Sequence, residues 1–166
     1  EPLEVVLITS KKPIEIYDSR IDTYTHITHV RKLLDDAIIN LLIRATKHDD
    51  SKLVEPERSA FDIYTPKLQE CTYGSNEYRK YLKEMSLSVE HHYKENNHHP
   101  EHFKNGISDM SLLDLLEMIC DWGAAVKRHK NGDLRRSIHM NQERFGYSDE
   151  LLSILENTAV ELELIS

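Results

Sequence analysis

The sequence predicts an all-α bundle of about six or seven helices, and two observations carry that prediction. Apolar residues recur at helical spacing along most of the chain from about residue 20 to residue 164. Residues that favour helix starts precede several of these segments, as Ser111 does with Asp114. A chain of 166 residues is long enough for one domain with a real core. We therefore expect an N-terminal segment at 1–18 and one helical domain at 19–166.

The N-terminal segment is the one part of the chain with a possible β pattern. Residues 3–8 and 14–17 are short apolar or β-branched runs on either side of Lys11-Lys12-Pro13. Such runs favour a short β-hairpin or arm. A frayed extended tail is an equally good interpretation of the same residues.

The first predicted helix covers residues 20–46 and follows the capping pair Asp18-Ser19. It is the longest and most apolar segment, so we expect it to be central. It should end near Lys47, with His48 and Asp49 at its exit. Its apolar positions follow helical spacing, at Ile27, Val30, Leu34, Ile38, Leu41, Leu42 and Ala45.

Proline, glycine and serine residues mark the remaining helices. Pro56 predicts a short helix that runs to about Tyr64, where Pro66 stops it. Ser75 predicts a helix at 76–95, with His92 on its buried side and His91 rotated away from it. Three further helices are expected at 112–130, 133–144 and 149–164. The inner side of the first of these three is predicted to carry Leu113, Leu116, Glu117, Cys120, Asp121, Ala124 and Ala125.

Composition excludes several classes of protein. A formal net charge of −8 argues against non-specific nucleic-acid binding, which needs a basic face. No run approaches the roughly 20 apolar residues of a membrane span, and no signal segment begins the chain. The two cysteines, Cys71 and Cys120, form no metal or redox motif and favour a reducing compartment, so we expect the cytoplasm. Whether the chain forms a homo-oligomer is left open.

Histidine is the compositional anomaly of this sequence. There are ten His residues, and five of them lie between 91 and 102. A polar, solvated helix end would explain that cluster, but carboxylates and further His residues upstream favour a metal site. Adjacent ligands such as His48 and Asp49 converge on one ion only where the backbone is leaving a helix. The candidates from the residues alone are His26, His48, Asp49, His91 or His92, His98, His99 and Asp121.

The chemistry of this set predicts the kind of ion. Imidazole and carboxylate without thiolate suit a divalent transition metal such as Fe, Mn, Zn or Co better than a structural zinc site. One or two ions are compatible with the number of candidates. A mixed His and Asp set with open positions is typical of a catalytic metal, which activates water and screens phosphate charge.

Several motifs resemble a known superfamily. His-Ile-x-x-Val begins at His26, His-Asp follows at 48–49, further His residues come later, and Asp121 lies on another helix. This order resembles the HD-domain metal-dependent phosphohydrolases. The stretch His48-Asp49-Asp50-Ser51-Lys52 is similar to their His-Asp-x-Gly-Lys motif, with Ser51 in place of Gly.

The whole set of motifs more closely resembles a phage and bacterial family of unknown function. The motifs are His-Asp-x-Ser-Lys at 48–52, His-His-Tyr at 91–93, His-His-Pro-Glu-His at 98–102 and Glu-Met-x-Cys-Asp-Trp at 117–122. The resemblance covers about residues 22–160 and implies an HD-domain-like helical bundle. It implies that the first metal is held by His26, His48, Asp49 and Asp121. A second ion, if there is one, would be held by His92 and one or both of His98 and His99. The superfamily pattern favours His26 over His29 because Val30 follows His26 by four residues.

Two residues within these motifs are candidates for catalytic roles. Lys52 is a candidate to contact a substrate phosphate or polarise water, and a solvated loop lysine is the alternative. Glu101 is a candidate general base or partner of a ligating His, and a helix cap is the alternative. Glu117 is a plausible support for a ligand or else an ion-pair partner. Five cations favour a solvated face, with a phosphate-facing rim as the alternative: Lys127, Arg128, Arg135, Arg136 and Arg144.

These expectations combine into a metal-dependent phosphohydrolase. Its substrate would be a nucleotide or a related small, anionic phosphate ester, cleaved through a metal-activated water. One alternative is an HD-type di-iron oxygenase, because the same ligand set serves O₂ chemistry in HD-like folds. The other is a non-catalytic protein that keeps the fold and sequesters a ligand.

Overall fold

The computed structural model describes residues 17–72, 74–128 and 132–165. These residues contain seven α-helices and no strand, which confirms the predicted all-α class. Contacts divide the chain into two compact units, residues 1–36 and 37–166. The predicted hairpin or arm falls mainly on 1–16, outside the described residues. The helices are α1 (Arg20–Lys47), α2 (Arg58–Glu70), α3 (Asn76–Glu84), α4 (Ser86–Glu95), α5 (Leu112–Val126), α6 (Leu134–Phe145) and α7 (Asp149–Glu161).

Helix α1 has the predicted bounds but not the predicted burial. None of its side chains is buried by the described residues, and Leu34 and Ile38 are 59% and 54% exposed. The expectation that α1 is a central core helix was therefore wrong for the described part of the chain. Apolar periodicity identifies a helix, but burial also needs a second element against that side. None of the described helices is both long and apolar enough to cross a membrane.

Several boundaries differ from the prediction. Helix α5 ends at Val126 instead of 130, and α7 ends at Glu161 instead of 164. Helix α2 continues through Pro66 to Glu70, because a proline removes one backbone hydrogen bond without necessarily ending the helix. The carbonyl that loses its partner belongs to Asp62, which is exposed and therefore open to water. The helix expected at 76–95 is two helices, α3 and α4, which meet at Met85.

The break at Met85 combines the serines that follow it with a contact to a segment distant in sequence. Serine competes for backbone hydrogen bonds inside helices. Here the hydroxyl of Ser88 donates to the carbonyl of Pro56 at 3.2 Å, which ties α4 to the segment before α2. Met85 itself is only 3% exposed and so anchors the junction in the interior. The break sets the direction in which α4 presents His92.

The apolar core of the second unit lies between α5, α6 and α7. Its buried members come from all three helices and the turn before α7: Met118, Ile119, Trp122, Leu134, Ile138, Tyr147, Leu155 and Ala159. Trp122, one of these buried residues, stacks on Phe145 with ring centroids 6.5 Å apart. The capping box of Ser111 and Asp114 forms as predicted and fixes the start of α5. The inner side predicted for α5 was partly wrong, because Cys120 and Ala124 are exposed.

Candidate metal centre

The end of α1 brings two adjacent side chains together. The helix stops at Lys47, and Asp49 adopts a left-handed backbone conformation with φ of +62°. This conformation is strained for most residues but is tolerated by Asp. A short 3₁₀ turn at Asp50–Leu53 follows, in which the amide of Lys52 donates to the carbonyl of Asp49 at 2.9 Å. His48 and Asp49 therefore sit where the backbone leaves a helix, as their convergence on one ion requires.

Asp49 is the meeting point of several imidazoles. Its Oδ1 lies 3.3 Å from Nε2 of His92 and 3.6 Å from Nε2 of His98. Its Oδ2 lies 3.7 Å from Nε2 of His48, which is itself 3.6 Å from Oδ1 of Asp121. Nε2 of His99 lies 2.9 Å from Nε2 of His92. The side chains come from the end of α1, from α4, from the loop after it and from α5.

Three sets of ligand atoms lie close enough to share an ion, with the atoms of each set within 4.8 Å of one another. The sets are Asp49, His92, His98 and His99; His48, His98 and Glu117; and His48, Asp49 and Asp121. The first and third sets share Asp49, whose two oxygens face different histidines. The arrangement can therefore hold one ion, or two ions with the Asp49 carboxylate between them.

A buried glutamate fixes the orientation of His92. Glu57 is fully buried, and its Oε2 accepts from Nδ1 of His92 at 2.9 Å while its Oε1 accepts from Nδ1 of His91 at 2.8 Å. A carboxylate at Nδ1 holds the proton on that nitrogen and leaves the lone pair on Nε2. His92, not His91, thereby presents a free ring nitrogen to Asp49.

Glu117 does the same for a second pair of histidines. Its Oε1 lies 2.9 Å from Nδ1 of His48 and 3.3 Å from Nδ1 of His98. Its Oε2 accepts from the guanidinium of Arg44 at 3.0 Å, which holds the carboxylate in place. The ion pairing considered for Glu117 is thus present, and its support of a ligand stays a prediction. Glu57 and Glu117 together direct the Nε2 atoms of three histidines toward the two aspartates.

Ser51, the position that departs from the superfamily motif, belongs to this supporting layer. Its hydroxyl donates to Oε2 of Glu57 at 3.0 Å and accepts from the side-chain amide of Asn96 at 2.8 Å. The same amide donates to the backbone carbonyl of His92 at 2.8 Å. Ser51 and Asn96 therefore tie the loop after α1 to α4 around the buried carboxylate of Glu57.

The charges of the side chains in the three ligand sets, called the cluster from here on, act strongly on one another. Burial alone would raise the pKa of the Asp49 carboxyl, but its contacts with His92 and the Lys52 ammonium outweigh burial and hold that pKa well below its usual range. The carboxylates of Asp121 and Glu117 raise the pKa of His48 to about 10. Burial, with His98 and His92 nearby, lowers the pKa of His99 to about 3, so its imidazole is neutral at pH 7.

Two buried atoms in the cluster lack the partner that a stable interior normally provides. Among the described residues, Oδ1 of Asp49 and Nε2 of His98 are buried without a hydrogen bond. Because Nδ1 of His92 faces a carboxylate, the short gap between Nε2 of His92 and Nε2 of His99 must hold a proton or an ion. Orphaned acceptors and facing nitrogens fit a divalent ion with imidazole and carboxylate ligands.

The other predicted site residues fall in different places. The ammonium of Lys52 lies 2.6 Å from Oδ2 of Asp49 and 5.1 Å from the centre of the Phe61 ring. Glu101 pairs with Arg144 at the surface and is in none of the three ligand sets, so its catalytic role stays a prediction. His26 is exposed on α1 in the first unit, and its role as a ligand also stays a prediction.

A cavity of about 1000 Å³ opens beside the cluster, within the second unit. Asp49, His92, His99 and Lys52 line part of its wall. The cavity lies within the volumes of about 300–1000 Å³ that hold small molecules and cofactors. A ligand in this cavity can therefore reach the atoms that converge around Asp49.

Sequence reasoning missed Glu57 and Asn96 as supporting residues. Glu57 lies one residue after Pro56, in a segment interpreted only as a helix start. The one available signal was His92 itself, because a buried ligating histidine needs a partner for its second ring nitrogen. Such partners come from any element that packs nearby, and nothing in the local sequence singles out Glu57.

Comparisons with known proteins give a family and no further match. No curated protein and no solved structure matches the chain. The family model described as "Family of unknown function (DUF5662)" matches residues 15–161, which is most of the sequence. This chain therefore belongs to that family of unknown function.

Proposed function

We propose that this protein is an HD-type, metal-dependent phosphohydrolase that acts on a nucleotide or a related small phosphate ester. The observation that carries the proposal is the convergence on Asp49 of imidazole nitrogens whose opposite sides are fixed by carboxylates. The shared Asp49, which follows His48 at a helix exit, is consistent with the resemblance of His48–Lys52 to the HD motif. The family match itself carries no activity.

In this proposal the ligands of the ion are His48, Asp49, His92, His98, His99 and Asp121. When bound, a divalent transition ion would lower the pKa of water and offset the negative charge of a phosphoryl group. The carboxylates of Glu57 and Glu117 keep a proton on the Nδ1 atoms that face them. The imidazole rings are thereby held with Nε2 toward the ion before any substrate arrives.

Lys52 is the residue we assign to the substrate. Its ammonium contacts Asp49, packs over the Phe61 ring and lines the cavity. A phosphoryl oxygen next to the cluster would meet this positive charge, which favours the more negative transition state of phosphate transfer. The Phe61 ring limits the conformations of the lysine and so reduces the entropy lost when the contact forms.

One observation also favours the oxygenase alternative. Asp49 belongs to two ligand sets at once, and a carboxylate between two ions suits di-iron chemistry as well as two-metal hydrolysis. The two functions differ in the metal retained and in what is consumed. An oxygenase would retain iron, be coloured in air and consume O₂ without releasing phosphate.

The test is elemental analysis followed by a substrate screen. The protein is stripped with a chelator, reloaded separately with Mn²⁺, Fe²⁺, Zn²⁺ or Co²⁺, and assayed against nucleotides and bis(p-nitrophenyl) phosphate. We expect one or two ions per chain. The release of phosphate from nucleotides, or of p-nitrophenol from the diester, should need the metal. His48→Ala and Asp49→Asn should lose both the metal and the activity.

His139→Ala is the matched control, because His139 is an exposed histidine that pairs with Glu156 on α6 and α7. This variant should keep wild-type metal content and activity. The proposal fails if purified protein holds no transition metal and the His48 and Asp49 variants behave like wild type. Metal and ligand binding without turnover would instead identify a protein that sequesters its ligand.

A further inference from the structure

The cavity beside the cluster is much larger than a phosphate group needs. Its wall extends from the cluster along α2, α3, α4, α5 and α6. Aromatic and aliphatic side chains provide much of this wall, including Phe61, Tyr78, Leu82, Met85, Trp122 and Met140. A ligand that fills the cavity must therefore present an apolar or aromatic body to these side chains.

Two arginines line the same cavity away from the metal ligands. Arg128 follows the end of α5, and Arg136 lies in the first turn of α6. Arg128 is seven residues beyond Asp121, so their Cα atoms are about 10 Å apart along the helix direction. Within the described residues, neither guanidinium has a carboxylate partner at ion-pair distance. The carboxylates of Glu70 and Asp133 also line the cavity.

The other three cations considered for a phosphate-facing rim differ from Arg128 and Arg136, because each is either ion-paired or outside the cavity. Arg135 pairs with Glu156 at 3.4 Å, and Arg144 pairs with Glu101. Lys127 is exposed and does not line the cavity. Only Arg128 and Arg136 of the five therefore remain available to a ligand in the described part of the cavity.

We propose that the substrate is a phosphate ester with an apolar or aromatic body and a second anionic group, which Arg128 and Arg136 bind at the cavity wall. This inference rests on the proposed hydrolase and narrows its substrate class. The phosphoryl group would lie at the metal ligands and Lys52, the body against the aromatic wall, and the second anion at the two guanidinium groups.

Two synthetic esters that differ in one group test the proposal. The first is 2-naphthyl phosphate, and the second is 6-carboxy-2-naphthyl phosphate, which adds an anion at the far end of the same body. In Mn²⁺-loaded wild-type protein we expect the KM of the carboxylated ester to be about tenfold lower, because a charged hydrogen bond contributes about that factor.

The arginine variants identify what recognises the carboxylate. Arg136→Gln, Arg128→Gln and the double variant should bring the KM ratio of the two esters toward one. Arg135→Gln is the matched control, because it removes the neighbouring arginine of the same helix, which pairs with Glu156 outside the cavity. This control should keep the ratio near ten. Circular dichroism checks folding, and the single variants decide if the double variant does not fold.

Equal KM values for the two esters in wild type would overturn the proposal, as would a preference that survives in the double variant. If neither ester is hydrolysed with any metal, the proposed hydrolase fails in this form. The ratio of dissociation constants, measured from naphthalene fluorescence in the metal-loaded protein, then decides the second-anion site by the same criteria.

Discussion

Helix α5 packs against two environments of opposite character. On one side Met118, Ile119 and Trp122 enter the apolar core with α6 and α7. On another side Glu117 and Asp121 face His48 and the rest of the candidate metal centre. The core side contains close-packed apolar groups, which are stable without any ligand. The cluster side contains coupled charges and two buried atoms without hydrogen bonds.

The two sides of α5 therefore differ in role: the core side stabilises the fold, and the cluster side forms the candidate metal centre. Apolar burial stabilises the α5–α7 core whether or not a metal is present. On the cluster side, Oδ1 of Asp49 and Nε2 of His98 lack hydrogen bonds in the absence of an ion, which is unfavourable and would be relieved when an ion binds. Changes on the two sides of α5 should therefore have separable effects, on unfolding for the core and on metal affinity for the cluster.

The largest effect is expected for Asp49→Asn. Asparagine keeps the tolerance for a positive φ but removes the negative charge shared by two ligand sets. We expect metal affinity to fall about a thousandfold, or about 4 kcal/mol, measured by competition with a fluorescent chelator. Asp50→Asn, an exposed neighbour, is the control. Wild-type affinity in the Asp49 variant would remove Asp49 from the centre.

A substitution on the core side of α5 should lower stability and leave metal affinity unchanged. Ile138 is fully buried between α5, α6 and α7, so Ile138→Ala should lower the free energy of unfolding by about 3 kcal/mol. Urea denaturation measures this loss. Metal affinity of the folded protein should stay at the wild-type value, because Ile138 is in none of the ligand sets. A loss of affinity in this variant would show that core and cluster are coupled.

The cluster should also show opposite pH dependences with and without metal. In the metal-free protein His48 has a raised pKa of about 10, while the unfolded chain titrates near its ordinary value of 6.5. Folding therefore holds a proton between these pH values. The stabilisation is complete below pH 6.5 and is lost as pH rises toward 10.

A metal ion at Nε2 of His48 must displace that proton. Metal affinity should therefore rise about tenfold per pH unit between pH 7 and pH 9, as metal-free stability falls. Urea denaturation after chelation and calorimetry in buffers of different ionisation enthalpy measure the two slopes. His48→Gln should flatten both, and unchanged slopes in that variant would exclude His48 as the group responsible.

A smaller effect is expected for Glu57→Gln. The glutamine keeps the volume of a fully buried side chain but weakens its hold on the Nδ1 protons of His91 and His92. Metal affinity should fall about 10–100-fold, as is usual for partners of ligating histidines. Glu55→Gln, two residues away and exposed, is the control. A loss of stability with unchanged affinity would mean that Glu57 has only a structural role.

The smallest effect is expected for Ser51→Ala. Its hydroxyl contacts Glu57, Asn96 and, at 3.2 Å, Nδ1 of His92, but none of the ion-facing atoms. Metal affinity should therefore fall about threefold, roughly the value of one neutral hydrogen bond. Ser59→Ala removes an exposed serine hydroxyl that bonds to Glu55 and should have no effect on metal affinity. If both serine variants behave alike, the departure from the superfamily motif at Ser51 has no role in the centre.

Local sequence was sufficient for much of the fold. The bounds of α1, the capping box at Ser111 and the cap at Ser75 all form as expected, because each depends on residues within one or two turns. The break at Met85 and the continuation of α2 through Pro66 were missed. Both depend on groups distant in sequence or on solvent, as the bond from Ser88 to Pro56 illustrates.

The candidate centre likewise has residues that local motifs predict and residues that only distant contacts reveal. Motif spacing indicated six of the residues that come together, and placed His92 rather than His91 on the buried side of its helix. Sequence did not indicate Glu57 or the contacts of Asn96, and it gave no means to sort the five cations near α5 and α6. The partners of Arg135, His92 and Arg144 lie 21, 35 and 43 residues away in sequence, so only the packing of helices assigns them.

Local sequence patterns were enough to predict an all-α chain, adjacent His48 and Asp49 at a helix exit and a second group of histidines at the end of α4 and after it. These features follow from helical periodicity, capping and residue chemistry, which act over a few residues. Tertiary structure decided which imidazole nitrogens face Asp49, which carboxylates fix them and which arginines reach the cavity. Those choices depend on side chains from different helices meeting at distances of a few ångströms, which no local pattern encodes.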